Sequence, residues 1–243
     1  MASPQVQYLS SGDTALTVQF GTGIDRGLNS RIVALSRSLA RAAIPGVAET
    51  VPTYRSLLVH YDPLVLTREQ LISHLRPLVA SAPETGDASP DVWSIPVCFD
   101  AEFAPDLGFV AGASGLSAEQ VVKAMLDTQH HVYMIGFAPG QPYMGDLPAR
   151  LNIPRRESPV PRVEAGSLVT ATGLTIIYPV ANPTGWHVVG RTPVQIFSLD
   201  RDEAILFKPG DRVILRRIDR AEYDELSSRV STGQFDIENM RRR

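Results

Sequence analysis

Proline and glycine are concentrated in one segment of this 243-residue chain, between Gly136 and Pro193. About half of the chain's 19 prolines lie there, and each proline fixes its own φ angle and lacks a backbone N–H donor. Glycine reaches φ values that are closed to other residues. This composition predicts shaped loop backbone beside short strands. Because the segment also carries several arginines, whose planar guanidinium groups bind carboxylates and phosphates, we predict that it forms the functional surface.

The overall composition is that of an ordinary globular protein, with 44% hydrophobic and 20% charged residues. The formal net charge of −3 gives no electrostatic reason to expect a nucleic acid or a membrane as partner. Residues 1–10 lack the basic and apolar stretches of a secretion signal, and no run approaches the ~20 apolar residues that span a bilayer. We therefore expect a cytoplasmic protein. Cys98, the one cysteine, lies in an apolar run and is predicted to be buried and inert.

Residues 1–85 are predicted to form a small α/β sandwich domain. Asp25 is the expected N-cap of a helix that ends near Gly46, and Thr67 opens a second helix through a capping box with Gln70. Both helices carry their leucines on one face, so they are expected to cover one side of a mainly antiparallel sheet. The predicted strands are 6–9, 15–20, 47–51 and 56–61, which gives the order ββαββα.

Residues 81–91 are small, polar and interrupted by proline, as expected of a linker, and we place the second domain at residues 86–243. Short strands with few helices between them favour a closed barrel, because closure removes exposed strand edges. The predicted fold class is an α+β N-terminal domain followed by a mainly-β barrel domain. The strands of this second domain are predicted at 92–99, 132–135, 168–172, 174–178, 186–189, 194–199 and 212–218, with helices that begin at Ser117 and Asp219.

Seven sequence blocks, in one order and at compatible spacing, resemble the carboxyltransferase subdomain C/D family. This family includes the B-type subunit of 5-oxoprolinase, allophanate hydrolase subunit 1 and Kip-type sporulation kinase inhibitors. The resemblance implies an α/β N-terminal domain and a cyclophilin-like C-terminal barrel. The blocks are V-Y-M-I-G-F-A-P-G-x-P-Y-M-G-x-L-P at 132–148, P-R-R-x-x-P at 154–159, R-V-x-A-G-S at 162–167, I-Y-P at 177–179, G-W at 185–186, G-R-T-P at 190–193 and P-G-D-R-V at 209–213.

The resemblance also implies an enzyme subunit that is inactive alone. Its partner would be a second subunit that carries the carboxyltransferase A/B half, joined in the 5-oxoprolinase system by a third, lactam-utilisation subunit. The implied reaction is the ATP-dependent opening of 5-oxo-L-proline to L-glutamate, with ATP and Mg²⁺ bound at the level of the assembled complex. Two alternatives stay open: a subunit of allophanate or urea breakdown, and an inhibitor of a histidine kinase.

Five positions differ from the family pattern. An aromatic residue is usual at Gln141, an arginine at Val160 and a proline at Glu164, while Leu174 and Ile176 replace the common Gln and Gly. Because these positions touch the predicted pocket, the substrate is less closely specified by the resemblance than the fold is.

Arg162, Arg191 and His187 are the candidate catalytic residues. Arg162 precedes a glycine turn in a matching block, and its guanidinium would hold a carboxylate or phosphate through two parallel hydrogen bonds. Arg191 is placed in a turn between two strands, where ligand binding and a structural role are both open. His187 is the candidate for proton transfer, although a lone histidine at the start of a strand is more often structural.

The candidate substrate-binding residues lie in the same segment. For the adjacent arginines two interpretations stay open: one points inward while the other faces solvent, or one or both are surface charges. The loop 136–145 is interpreted as a rigid wall and not as a phosphate loop, because its prolines remove N–H donors. The carboxylate in that wall is open to orienting an arginine, holding Mg²⁺ or stabilising a turn. These residues are Arg155, Arg156, Gln141, Tyr143, Asp146 and Thr192.

No metal site is predicted in this chain itself. His130 and His131 are adjacent, and neighbouring residues of a strand point to opposite faces. No further Cys or His completes a ligand set around them.

Overall fold

The computed structural model describes residues 6–82 and 90–242, which fall into two units, Met1–Ser89 and Pro90–Arg243. Most of the predicted linker, residues 83–89, and part of the start that was searched for a secretion signal, residues 1–5, lie outside the described residues. In the described ranges, none of the helices combines the length and the apolar character needed to cross a membrane.

The first unit is a four-stranded antiparallel sheet, in the order β1-β2-β4-β3, with two helices. Its element order is the predicted ββαββα. The elements are β1 (Gln7–Ser10), β2 (Ala15–Gln19), α1 (Arg26–Ala42), β3 (Val47–Pro52), β4 (Ser56–Tyr61) and α2 (Arg68–Ser81).

Local signals begin both helices of the first unit. The Leu28 N–H donates to the Asp25 carboxylate at 2.8 Å, and Thr67 and Gln70 form the reciprocal bonds of a capping box. Alternate residues of the central strands and the apolar stripe of each helix are buried in one core. That core includes Leu16, Val18, Leu57, Val59, Ile32, Leu35, Leu71 and Leu75.

The second unit contains ten strands and three α-helices within its described residues. They are β5 (Val92–Cys98), α3 (Leu107–Ser114), α4 (Ala118–Asp127), β6 (Gln129–Ile135), β7 (Pro142–Gly145), β8 (Val160–Val163), β9 (Ser167–Ala171), β10 (Leu174–Ile177), β11 (Asn182–Thr184), β12 (His187–Arg191), β13 (Arg212–Ile218), α5 (Arg220–Ser231) and β14 (Arg241–Arg242). Short 3-10 helices lie at Ala149–Leu151 and Ile237–Met240.

Seven strands of the second unit close into a mixed barrel in the order β12-β9-β10-β7-β6-β13-β5. The ring closes where Arg191 of β12 pairs with Cys98 of β5. The pairing of β5 with β13 is parallel, whereas the other pairings in the ring are antiparallel. The prediction of a closed barrel is therefore confirmed, and β8 and β11 form a separate two-stranded ribbon.

The two faces of the barrel strands pack into different clusters. On β9, Leu168 belongs to the large core, to which α3 and α4 also contribute, whereas Val169 belongs to a smaller cluster with Tyr178 and Trp186. This division follows from the alternation of side chains along a strand. Cys98 is fully buried, and burial raises the pKa of its thiol, in agreement with the predicted inert cysteine.

Two sequence predictions in the second unit are wrong. The segment 194–199 is not a strand, because the Arg201 guanidinium donates to the backbone carbonyl of Gln195 at 2.7 Å and of Ala204 at 3.0 Å and folds the segment into a loop. Only the isolated bridge between Phe197 and Ile205 remains of it. Arg191 ends β12 and does not lie in a turn.

Candidate functional site

The segment 154–156 runs beside the start of β12 and sends its side chains to two faces. The Arg156 N–H donates to the Gly185 carbonyl at 2.7 Å, and His187 Nε2 donates to the Pro154 carbonyl at 3.0 Å. Arg155 and Arg156 consequently point to opposite sides, as neighbours in an extended segment do. Arg155 is exposed, whereas Arg156 is partly buried.

On one side of this segment, His187 is almost fully buried, with 2% of its surface exposed. Because a carbonyl oxygen only accepts hydrogen bonds, the contact with Pro154 assigns the proton to Nε2 and leaves Nδ1 as an acceptor. Nδ1 is buried and has no hydrogen-bond partner among the described residues. The imidazole stacks on Phe109 of α3, with ring centroids 4.7 Å apart. The result is a basic nitrogen in a shielded position.

Asp106 holds Arg156 on the same side. One carboxylate oxygen accepts the Val188 N–H at 2.7 Å, and the other forms an ion pair with Arg156. The Asp106 N–H also donates to the Val188 carbonyl at 3.0 Å. These bonds join the start of β12 to the start of α3. Asp106 immediately precedes α3 but does not cap it with its side chain, because the carboxylate is engaged with Val188 and Arg156.

The opposite side of the segment, which we call the Trp186 face, consists of Trp186, Arg155, Tyr143 and Gln141. The Arg155 guanidinium lies over the Trp186 ring, 5.3 Å from its centroid, and Tyr143 meets Trp186 edge-on at 6.4 Å. The Gln141 side chain forms a hydrogen bond with the Tyr143 phenol. Burial raises the pKa of Tyr143, and the bond from Gln141 and the positive charge of Arg155 partly oppose that rise.

Arg162, Arg191 and Thr192 form a third group around the turn that contains Gly166. Arg162 is exposed and donates to both carboxylate oxygens of Glu164, at 2.8 and 3.3 Å. Arg191 donates to the Ala165 carbonyl at 3.0 Å. The bond and charge of Arg162 lower the pKa of Glu164, and the charge of Arg191 lowers it further.

Thr192 is buried, and its hydrogen bonds are with backbone groups. Its N–H donates to the Gly166 carbonyl at 2.9 Å, and its hydroxyl accepts the Val194 N–H at 3.2 Å. Gly166 has a φ of +81°, and a Cβ at this position would collide with the Thr192 carbonyl oxygen. Only glycine therefore fits this turn without strain.

Asp146 accepts a hydrogen bond from the Tyr133 hydroxyl at 2.8 Å. Its φ of +77° is a left-handed conformation that aspartate tolerates better than most residues. Within residues 6–82 and 90–242, no three side chains of His, Cys, Asp or Glu are grouped so as to hold a metal ion.

The predicted site residues other than Asp146 thus fall into three groups. Arg156 is paired with Asp106 on the His187 side of the segment, Arg155 lies over Trp186 and its charge acts on Tyr143, and Arg162 and Arg191 both act on Glu164. Sequence reasoning missed Asp106, Phe109 and the wall formed by Trp186. The available signal for Asp106 was an acidic residue at the start of a helix. Phe109 follows on that helix, and the structure leaves 60% of its surface exposed.

Comparison with known proteins relates most of the chain to one family. Residues 6–207 match the sequence profile described as carboxyltransferase domain, subdomain C and D. The B-type subunit of 5-oxoprolinase from Bacillus subtilis (strain 168) is 32% identical over 229 residues, which cover 90% of this chain and 95% of that protein.

Two solved structures resemble the chain and belong to longer polypeptides. TTHA0988 is 34% identical with a TM-score of 0.75, and the alignment covers 84% of this chain but 40% of that one. The urea amidolyase of K. lactis has a TM-score of 0.77 at 19% identity, with 96% of this chain and 16% of that one covered. The second likeness concerns the fold alone.

Proposed function

The chain belongs to the carboxyltransferase subdomain C and D family, and we propose that it is a subunit of an ATP-dependent 5-oxoprolinase. The proposed overall reaction converts 5-oxo-L-proline, ATP and water into L-glutamate, ADP and phosphate. The observation that carries this proposal is the similarity to the B-type subunit of B. subtilis 5-oxoprolinase along nearly the whole of both chains. The partly buried arginine and shielded histidine beside β12 are groups suited to the chemistry of an amide bond.

The proposed site is composite, and this chain supplies part of it. The proposed partners are a subunit with the carboxyltransferase A/B half and a third, lactam-utilisation subunit. Because TTHA0988 and the urea amidolyase carry this fold within longer chains, further domains accompany it in those proteins. ATP and Mg²⁺ are proposed for the assembled complex, and we also propose a cytoplasmic location.

Within the site, His187 is the proposed proton-transfer group, and its neighbour Arg156 is proposed to bind substrate. Amide hydrolysis adds a water oxygen to the carbonyl carbon and delivers a proton to the departing nitrogen. Nδ1 of His187 is the atom proposed to take the proton from water and return it, because its ring partner Nε2 is already engaged with Pro154. Arg162 and Arg191 are proposed to stabilise negative charge that develops during the reaction.

The proposed activity is tested by reconstitution with the two partner subunits. The three purified proteins are mixed with 5-oxo-L-proline and MgATP, and glutamate and ADP are measured together. Glutamate that forms in step with ADP, and only with all three subunits, is the expected result. Absence of 5-oxoproline-dependent ADP formation would refute the proposal, and turnover with allophanate instead would place the chain in urea breakdown.

The role of His187 is tested by His187→Gln in the same complex. Glutamine keeps a side-chain N–H near the position of Nε2, so the bond to Pro154 and the fold should survive, whereas the acceptor Nδ1 is lost. We expect a decrease in kcat of ~10²–10⁴-fold. A kcat within threefold of the wild type would show that His187 is structural.

A further inference from the structure

Arg155 presents a positive charge on the Trp186 face that no acidic side chain among the described residues balances. Its guanidinium is fixed over the indole of Trp186, 5.3 Å from the ring centroid. Within residues 6–82 and 90–242 it takes part in no ion pair, in contrast to Arg156 and Arg162, each of which is paired with a carboxylate. A guanidinium that is held in place without a counter-charge is suited to bind a carboxylate from solution.

Gln141 supplies a complementary acceptor next to the same aromatic side chains. The residue is 1% exposed, and its amide is bonded to the Tyr143 phenol. Its carbonyl oxygen, Oε1, is buried and accepts no hydrogen bond within the part of the chain that the structure describes. Burial of an amide oxygen without a donor is unfavourable, because the hydrogen bond to water is lost and nothing replaces it. An N–H group from a bound molecule would satisfy it.

Tyr143 connects these two groups. It is bonded to Gln141, its pKa is affected by the charge of Arg155, and its ring meets that of Trp186 at 6.4 Å. The Trp186 face therefore combines one cation, one acceptor and two aromatic surfaces in a small area. The Tyr178 hydroxyl donates to the Thr184 hydroxyl at 2.7 Å, and this hydroxyl accepts the backbone N–H of Trp186 at 2.9 Å, which holds the backbone of Trp186 in place at the start of β12.

We propose that the Trp186 face binds a small carboxylate that carries an N–H donor close to the carboxylate carbon. The carboxylate pairs with the Arg155 guanidinium, the N–H donates to Gln141 Oε1, and the carbon skeleton packs against Trp186 and Tyr143. This chemistry describes N-acyl amino acids, both cyclic and acyclic. The identification of 5-oxo-L-proline as the member of this class rests on the proposed function. Because the Trp186 face lies on the opposite side of the segment 154–156 from His187 and Arg156, it is proposed as a site that receives the substrate, separate from the group proposed for proton transfer.

The site is tested by binding of 5-oxo-L-proline to the full chain, observed by NMR. The probes are 5-oxo-L-proline, its N-methyl derivative, which lacks the N–H, and 2-pyrrolidinone, which lacks the carboxylate. We expect 5-oxo-L-proline to shift the side-chain amide signals of Gln141 and the indole N–H signal of Trp186, which are assigned from Gln141→Leu and Trp186→Phe. Each altered probe is expected to bind at least fivefold more weakly.

Two variants of Arg155 test whether binding depends on its guanidinium group and not only on the aromatic side chains of the Trp186 face. Arg155→Gln should weaken binding of 5-oxo-L-proline at least tenfold, and Arg155→Lys should restore little of it, because an ammonium cannot form the paired bonds of a guanidinium. Arg150→Gln is the matched control, since Arg150 is also exposed but lies on the 3-10 helix Ala149–Leu151, beside residues of α4. Its affinity should equal that of the wild type.

Three results would overturn the inference. They are equal affinity of Arg155→Gln and wild type, shifts confined to residues away from the Trp186 face, and no binding by either the full chain or the reconstituted complex. These outcomes are distinct from failure of the proposed function. If the complex with Arg155→Gln turns over 5-oxo-L-proline with an unchanged KM, the binding site on the Trp186 face is refuted and the proposed function stands. If binding depends on Arg155 but no turnover occurs, the proposed activity is refuted and the binding site stands.

Discussion

At the scale of single residues, burial changes the acid–base behaviour of His130 most clearly. His130 is fully buried in β6, where Nε2 donates to the Met125 carbonyl at 3.1 Å. Burial lowers its pKa from 6.5 to about 4, although the bond to Met125 and the charge of Asp146 partly oppose this shift. Protonation is therefore more favourable in the unfolded chain than in the folded chain.

The stabilising effect of neutral His130 is expected to be complete above pH 6.5 and to be lost as the pH falls towards 4. In His130→Gln, which can keep a donor for Met125, this loss is absent. The difference in unfolding free energy between wild type and variant should change by about 2.5 kcal/mol between pH 7.5 and 4.5. Urea unfolding across this range measures it.

The exposed His74 gives the control for that experiment. His74→Gln makes the same substitution at the surface, and the pH dependence of unfolding in His130→Gln is compared with it. A constant difference between wild type and His130→Gln from pH 7.5 to 4.5 would contradict a lowered pKa at His130.

The ion pair of Asp106 and Arg156 is a second residue-scale feature with a measurable energy. Their side chains are 14% and 27% exposed, so the charges are less screened than those of a surface pair. In a double-mutant cycle with Asp106→Asn and Arg156→Gln, asparagine can still accept the Val188 N–H. We expect a coupling energy of about 1–2 kcal/mol, which lies between the values for exposed and for buried pairs.

The exposed pair of Arg162 and Glu164 serves as the comparison for this cycle, with side chains 68% and 51% exposed. Its coupling should be much weaker and should disappear in high salt. Equal coupling of the two pairs, measured by urea unfolding, would mean that the burial of Asp106 has no energetic consequence.

At the scale of elements, local signals were predictable and long-range pairing was not. The capping boxes at Thr67 and Ser117 lie within four residues of sequence, so they mark α2 and α4 without tertiary information. The ribbon of β8 and β11 depends on pairing between segments about 20 residues apart, both of which contain proline. No hydrophobic alternation predicts such a pair.

In the candidate site, too, local arrangements were predictable from the sequence and long-range contacts were not. The adjacency of Arg155 and Arg156 predicts opposite directions, and the structure has them. The bond from the Val188 N–H to Asp106 joins residues 82 positions apart, and no local pattern in the sequence contains it. Helix α3 was missed because Gly108 and Gly112 lower helix propensity while the surrounding apolar residues stabilise the helix through packing.

The closure of the barrel is expected to depend on Gly190 of β12. A Cβ at this position would lie 2.8 Å from Val97 Cγ1 and 3.2 Å from the Cys98 carbonyl oxygen of β5. Gly190→Ala should therefore separate the strands where the ring closes and lower the free energy of unfolding by about 1–3 kcal/mol. Urea unfolding followed by circular dichroism measures this loss.

Gly112 of α3 is the matched control, because a Cβ there meets no atom within 4 Å. Gly112→Ala should raise stability by about 0.5–1 kcal/mol through higher helix propensity. If both variants change stability equally, the close approach at Gly190 does not govern closure.

At the scale of the whole molecule, each unit has a hydrophobic core made only of its own residues. Within the described ranges, the core of the first unit runs from Leu16 to Val79, and the clusters of the second begin at Trp93. Both tryptophans of the chain, Trp93 and Trp186, lie in the second unit. Tryptophan fluorescence therefore reports on the barrel unit, whereas far-UV circular dichroism reports on both units.

Separate cores predict that damage to one unit leaves the other folded. Leu35 is fully buried in the first core, and Leu35→Ala should lower the stability of that unit by about 2–5 kcal/mol. In urea, the dichroism transition should divide and begin earlier, while the fluorescence midpoint stays at its wild-type value. Leu215→Ala, in the large core of the second unit, should instead shift the fluorescence midpoint. A common shift of both signals in Leu35→Ala would mean that the chain unfolds as one cooperative body despite its separate cores.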